Sequence, residues 1–131
     1  MNQGTLHPWH GVNPGNQAPV IVTAYIEITP FDRVKYELDK ESGLLKVDRP
    51  QAFSNLCPAL YGFIPKTYCG DAIGRLCSSK TGIDHIEGDG DPLDICILGE
   101  NGIQHNNILL QCKPIGGFRM IDKGQADDKI I

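Results

Sequence analysis

Glycine and proline interrupt this chain so often that apolar runs stay short. Fifteen glycines and nine prolines are spread through 131 residues. Such punctuation favours short strands and turns over long helices. Residues 20–29 are rich in β-branched side chains. Val20, Val22, Ala24, Ile26 and Ile28 share one face, which predicts a strand with a continuous core side. Tyr25 and Glu27 are expected on the other side, with Pro30 as the stop. Residues 34–39 alternate strictly: Val34, Tyr36 and Leu38 face one way, Lys35, Glu37 and Asp39 the other. Glu41-Ser42-Gly43 then turns the chain into residues 44–49, which predicts a hairpin ended by Pro50.

Further along, residues 53–65 read as extended, because Pro58, Gly62 and Pro65 interrupt them. Residues 67–88 carry four glycines and few apolar positions, and are expected to form a long exposed loop, with room for a small hairpin. Residues 92–98 and 108–113 read as two buried strands, and 115–121 as another, with a bulge at Gly116-Gly117. The sum is five to seven short, largely antiparallel strands and no helix, as in a small closed or partly open barrel.

The size fits a single domain over residues 1–131. A net charge of −4 argues against a nucleic-acid partner, which calls for a basic face. Residues 1–15 show neither a basic start nor an apolar run, and no stretch has the length of a membrane span. The expectation is a soluble, cytoplasmic protein with no membrane partner. Cys57, Cys69, Cys77, Cys96 and Cys112 are odd in number and include no Cys-x-x-Cys pair, so free, mostly buried thiols are expected.

The chemistry concentrates in Asp89-Gly90-Asp91-Pro92-Leu93-Asp94. Three neighbouring carboxylates repel one another, and folding alone gives no reason to gather them. A hard divalent cation would remove the repulsion, and Pro92 stiffens the segment. Asp122, Asp127 and Asp128, with Lys129, form a second acidic stretch. Alone it reads as a solvated run. Converging with the first, it would hold two or more Mg²⁺ ions. Lys35 and Arg49 lie on neighbouring strands of the hairpin, with Glu37 on the same polar face. Each alone reads as solvated, but together they could meet an oxyanion opposite the acidic cluster. Tyr61 could donate its hydroxyl to that anion or serve as a core tyrosine.

Other motifs are weaker. Asp89, Asp91 and Glu100 fit the first, third and twelfth places of a calcium-binding EF-hand loop. Leu93 then falls where a ligand is required and Asp94 where glycine is needed. His7 and His10 lack a third ligand and are expected to be structural or exposed.

The ordered segments resemble the family I soluble inorganic pyrophosphatases. Asp89-Gly90-Asp91-Pro92-Leu93-Asp94-Ile95 looks like that family's signature. Ile26-Glu27-Ile28, Lys35-Tyr36-Glu37-Leu38-Asp39, Val47-Asp48-Arg49, Tyr61-Gly62-Phe63-Ile64-Pro65, Arg119-Met120-Ile121-Asp122 and Asp127-Asp128-Lys129 follow in the family's order. The resemblance runs from about Tyr25 to the last residue. It implies a mainly β (α+β) fold built on a five-stranded OB-type closed barrel, with peripheral loops and few helices. It also implies Mg²⁺-dependent hydrolysis of pyrophosphate to two phosphates. Carried over by residue, Asp89, Asp94, Asp122 and Asp127 would bind metal, and Glu37 would support a substrate-associated metal. Asp91 would be the general base. Lys35, Arg49 and Tyr61 would hold phosphate, with Glu27 and Lys129 supporting the site. A homo-oligomer is implied as well.

Two departures qualify the resemblance. The family's pattern continues past a position like Ile131, with a tyrosine–lysine phosphate pair and a covering helix. The chain is therefore expected to lack a C-terminal helical part. Cys57 stands where some members have a tyrosine. The alternative reading is a catalytically weak or inactive barrel module that binds metal, anion or protein. A nucleic-acid-binding OB module is opposed by the acidic balance.

Overall fold

The computed structural model describes residues 6–50, 59–99 and 102–131, and for residues 49 and 50 the backbone alone. The strands are β1 (Val22–Ile28), β2 (Val34–Leu38), β3 (Leu45–Pro50), β4 (Leu60–Ile64), β5 (Glu87–Gly88) and β6 (Leu93–Ile97). They continue with β7 (Ile108–Cys112), β8 (Gly117–Phe118), β9 (Ile121–Asp122), β10 (Gln125–Ala126) and β11 (Lys129–Ile130). One helix, α1 (Asp71–Thr81), lies between β4 and β5.

A six-stranded sheet in the order β7-β1-β4-β6-β11-β8 forms the body of the fold. A three-stranded sheet, β5-β10-β9, and the β2-β3 hairpin stand beside it. Strand β4 runs antiparallel to both neighbours, placing Phe63 beside Tyr25 and beside Asp94. Strand β11 runs parallel to β6 and sets Lys129 against Asp94.

Period-two alternation gives the sheet two unlike faces. Val22, Ala24, Ile26, Leu60, Ile64, Ile95 and Ile97 form one apolar cluster. Trp9, Tyr25, Leu38 and Phe63 form a second. Gly62 lets β1 and β4 close, since a Cβ there would stand 1.8 Å from the Tyr25 carbonyl oxygen.

Several expectations need correction. The first strand begins at Val22, and Val20 is exposed. Tyr25 and Glu27 lie on the other side of β1, as expected, and that side is buried as well, because the β2-β3 hairpin and Trp9 cover it. The 67–88 segment contains α1 rather than only loop. Its buried face is Gly74 and Cys77, residues too small to register as an apolar stripe. Gly82 caps its end in the left-handed region, at φ 73°, with its N–H donating to the Ser78 carbonyl at 2.9 Å. Strand β7 is half exposed rather than buried, because it is an edge of the sheet. The 115–121 strand is two pieces, β8 and β9, in different sheets. Among the described residues, the pairing of the large sheet runs from β7 to β8 without closing into a barrel. The hairpin is as expected, with Lys35 opposite Arg49.

Cys69, Cys77 and Cys112 are free thiols. Cys57, and the Glu100 of the EF-hand comparison, lie outside the described residues. His7 and His10 are structural or exposed. Among the described residues no helix is long and apolar enough to cross a membrane.

Candidate active site

The second face of the sheet ends in a cavity of about 250 Å³. Strand β1 contributes Glu27 to its lining, β2 contributes Lys35 and Glu37, and β4 contributes Tyr61. The turn before β6 brings Asp89 and Asp91, and β6 itself brings Asp94. Asp122 comes from β9, Asp127 from the turn after β10, and Lys129 from β11. Ten of the eleven residues singled out in the sequence therefore line one space. The eleventh, Arg49, is placed by its backbone opposite Lys35, and its side chain lies outside the described residues.

Local chemistry explains these placements. Gly90 occupies the left-handed region at φ 76°, which a β-carbon would oppose, and so turns the chain between Asp89 and Asp91. The Asp91 N–H donates to Asp89 Oδ1 at 3.0 Å, an Asx turn within the acidic segment. The Gly90 N–H donates to the Cys69 carbonyl, and the Cys69 N–H donates to the Asp91 carbonyl, both at 2.9 Å. The hairpin is held to the sheet by Glu27, whose Oε2 accepts the Leu38 N–H at 2.7 Å.

Three of these carboxylates, Asp89, Asp94 and Glu27, resist ionisation. Burial, then the charges of Asp91, Asp127 and Asp94, push Asp89 up to about 6, against the lowering pull of the Asp91 N–H. Burial also raises Asp94, partly opposed by Lys129. Burial pushes Glu27 up to about 7, with its Leu38 hydrogen bond working the other way.

Two ammonium groups answer this charge. Lys129 Nζ donates to Asp94 Oδ2 at 2.9 Å and to Tyr61 Oη at 2.8 Å, and lies 3.4 Å from both Asp127 oxygens. Lys40 Nζ pairs with Asp91 Oδ1. Lys35 reaches Asp48 Oδ2 at 3.5 Å. Asp128 turns away to Arg119 and the Met120 N–H.

Among the described residues, no three acidic, histidine or cysteine groups are gathered closely enough to enclose a metal ion. The donor set still fits a hard cation. It is all carboxylate oxygen, it shares one cavity, and the charges of Asp91, Asp127 and Asp94 add to burial in keeping a proton on Asp89. Asp89, Asp94 and Asp127 would hold such an ion, with Asp122 further out on the exposed β9.

Among the lining residues that the sequence did not mark as part of a site are Lys40, Trp9 and Gln125. Lys40 sits in a turn, where no periodicity marks its direction. Trp9 belongs to a segment whose only sequence signal, His7-Pro8-Trp9-His10, suggested no ligand set.

A model of the inorganic pyrophosphatase family matches residues 24–131. An inorganic pyrophosphatase of Chlamydia muridarum is 60% identical over 126 residues, covering 96% of this chain and 60% of the relative. Soluble inorganic pyrophosphatase 2 of Chlamydomonas reinhardtii is 42% identical, covering 95% of this chain and 55% of its own length. The crystal structure of the Thermus thermophilus inorganic pyrophosphatase superposes with a TM-score of 0.74 at 27% identity, covering 95% of this chain and 60% of that one. The Coxiella burnetii enzyme gives 0.68 at 32% identity, covering 91% and 60%. The chain thus spans about three fifths of the length of these relatives.

Proposed function

Because the chain belongs to the inorganic pyrophosphatase family, we propose that its cavity binds pyrophosphate with Mg²⁺ and hydrolyses it to two phosphates. One observation carries the reading. Carboxylates from the 89–94 segment and from the β9–β11 region line the same cavity as Lys35 and Tyr61. Carboxylates that can hold cations, beside donors for phosphate oxygens, suit a polyanionic phosphoryl donor whose acceptor is water.

In this reading Asp89, Asp94, Asp122 and Asp127 would hold Mg²⁺, and Glu37 would support a substrate-associated ion. The ions, when bound, would neutralise phosphate charge and make water acidic enough to attack near neutral pH. Asp91 takes the proton of the attacking water, because its carboxylate faces the cavity and is not committed to the Lys129 cluster. Lys35, Arg49 and Tyr61 hold phosphate oxygens. Lys129 and Glu27 fix Asp94, Tyr61 and the hairpin in place. We extend the reading to closure of the sheet as an OB-type barrel, to a cytoplasmic homo-oligomer, and to a partner set without nucleic acid or membrane. The net charge of −4 supports the last point.

Phosphate release from magnesium pyrophosphate tests this reading. Turnover by the unaltered chain, lost in Asp91→Asn and Asp94→Asn, is the expected result. One observation favours a second reading. Lys129 and Lys40 already neutralise part of the acidic wall, as in a module that binds an ion without turning over substrate. Mg²⁺ binding with no phosphate release would select that module.

A further inference from the structure

Asp91 is held in two different ways. Its backbone is fixed by Cys69 and by the Asx turn. Its carboxylate is fixed from across the cavity rim, where Oδ1 is buried against the Lys40 ammonium.

Lys40 is itself held from outside the region that the family model matches, 24–131. His7 Nδ1 accepts the N–H groups of Trp9 at 3.2 Å and His10 at 3.3 Å. The other ring nitrogen, Nε2, must then carry the hydrogen, and it donates to the Lys40 carbonyl at 2.8 Å. Trp9 anchors the same segment. Its Nε1–H donates to the Thr67 carbonyl at 2.7 Å, and its ring packs with Tyr25, Leu38 and Phe63. The turn beyond Lys40 is closed by Ser42, whose N–H and Oγ reach Asp39 Oδ2 at 2.9 and 2.6 Å. Side chains of Lys40 and Asp91 are 50% and 37% exposed, and pairs this wet add little to stability, so folding does not account for the contact.

We propose that Lys40, aimed by the His7–Trp9 segment, is the positioning residue that orients the Asp91 carboxylate towards the cavity. The inference rests on the hydrolase reading above. Nothing in it requires Lys40 to touch substrate. Its function is to remove the rotational freedom of the Asp91 side chain, and misplacing a reacting group by about 1 Å can cost about 100-fold.

Kinetics of Lys40→Met, Lys40→Arg and His7→Ala on magnesium pyrophosphate test it. Lys40→Met, which keeps the stem and removes the charge, should lower kcat about tenfold. KM and Mg²⁺ affinity should stay within about twofold, a split that a merely structural loss would not produce. Lys40→Arg should restore most of kcat, and His7→Ala should lower it about threefold. Unchanged kcat in Lys40→Met overturns the inference. So does a raised KM at unchanged kcat, which would make Lys40 a phosphate contact. If the unaltered chain shows no turnover, the hydrolase reading fails on its own. The inference is then decided by the ¹³C carboxyl signal of Asp91 at fixed pH, assigned with Asp91→Asn. A signal that moves in Lys40→Met and His7→Ala, and returns in Lys40→Arg, supports positioning; an unmoved signal overturns it.

Discussion

Lys129 and Lys40 do similar chemistry in unlike surroundings. Lys129 stands on a strand, with its side chain 19% exposed and its partners Asp94 and Tyr61 on adjacent strands of the same sheet. Lys40 stands in a turn, half exposed, and reaches a partner on another loop. The first pair is part of the scaffold, because strand register sets its distances. The second depends on two turns and an N-terminal segment staying in place. One half of the cavity is thus fixed by the sheet itself, and the other only by contacts between loops.

The sheet-fixed half should be the easier to break. Asp94→Asn should abolish Mg²⁺ binding and lower turnover by at least about 100-fold, measured by calorimetry and phosphate release. Retained turnover would place the metal elsewhere. Gly62→Ala should be the most destructive change to the fold. With the Tyr25 carbonyl oxygen 1.8 Å from the new methyl group, β1 and β4 must separate. A loss of about 3 kcal/mol or more in denaturant unfolding is expected. Lys129→Met leaves Asp94 and Asp127 facing each other, at a cost of about 2 kcal/mol. Lys40→Met should cost less than about 0.5 kcal/mol in the same experiment. Equal losses for the two lysines would erase the contrast between the halves.

Glu27 sharpens the comparison through pH. Its folded value, about 7, lies above the ordinary 4.5, so the folded state binds the extra proton between those values. Stability should therefore fall as pH rises from about 4.5 to about 7. Glu27→Gln keeps an acceptor for the Leu38 N–H and should remove Glu27's share of that slope, about 1–3 kcal/mol, leaving the smaller shares of Asp89 and Asp94. An unchanged slope would assign it to other groups.

Legibility in the sequence followed the same division. Alternation in residues 34–39 and the turn at Glu41-Ser42-Gly43 marked the hairpin, and the density of aspartate at 89–94 marked the acidic wall. Both are local signals. Helix α1 was not legible, because glycine and cysteine form its buried face. Alternation placed Glu27 and Tyr25 on the second face of β1 but left open whether that face is buried, since only tertiary packing tells a strand that both faces are covered. Lys40 and Trp9 were missed for a related reason. Each works through partners distant in sequence, and neither turn carries a pattern that points across the cavity.

The proposed sharing of a cation between the two acidic segments can be tested directly by anomalous diffraction from crystals soaked in Mn²⁺ as a substitute for Mg²⁺. The expected result is a peak within direct ligand distance, about 2.0–2.4 Å, of carboxylate oxygens from both the 89–94 segment and Asp127. A peak confined to one of the two segments, or found only at Asp128, would contradict the convergence on which the functional reading stands.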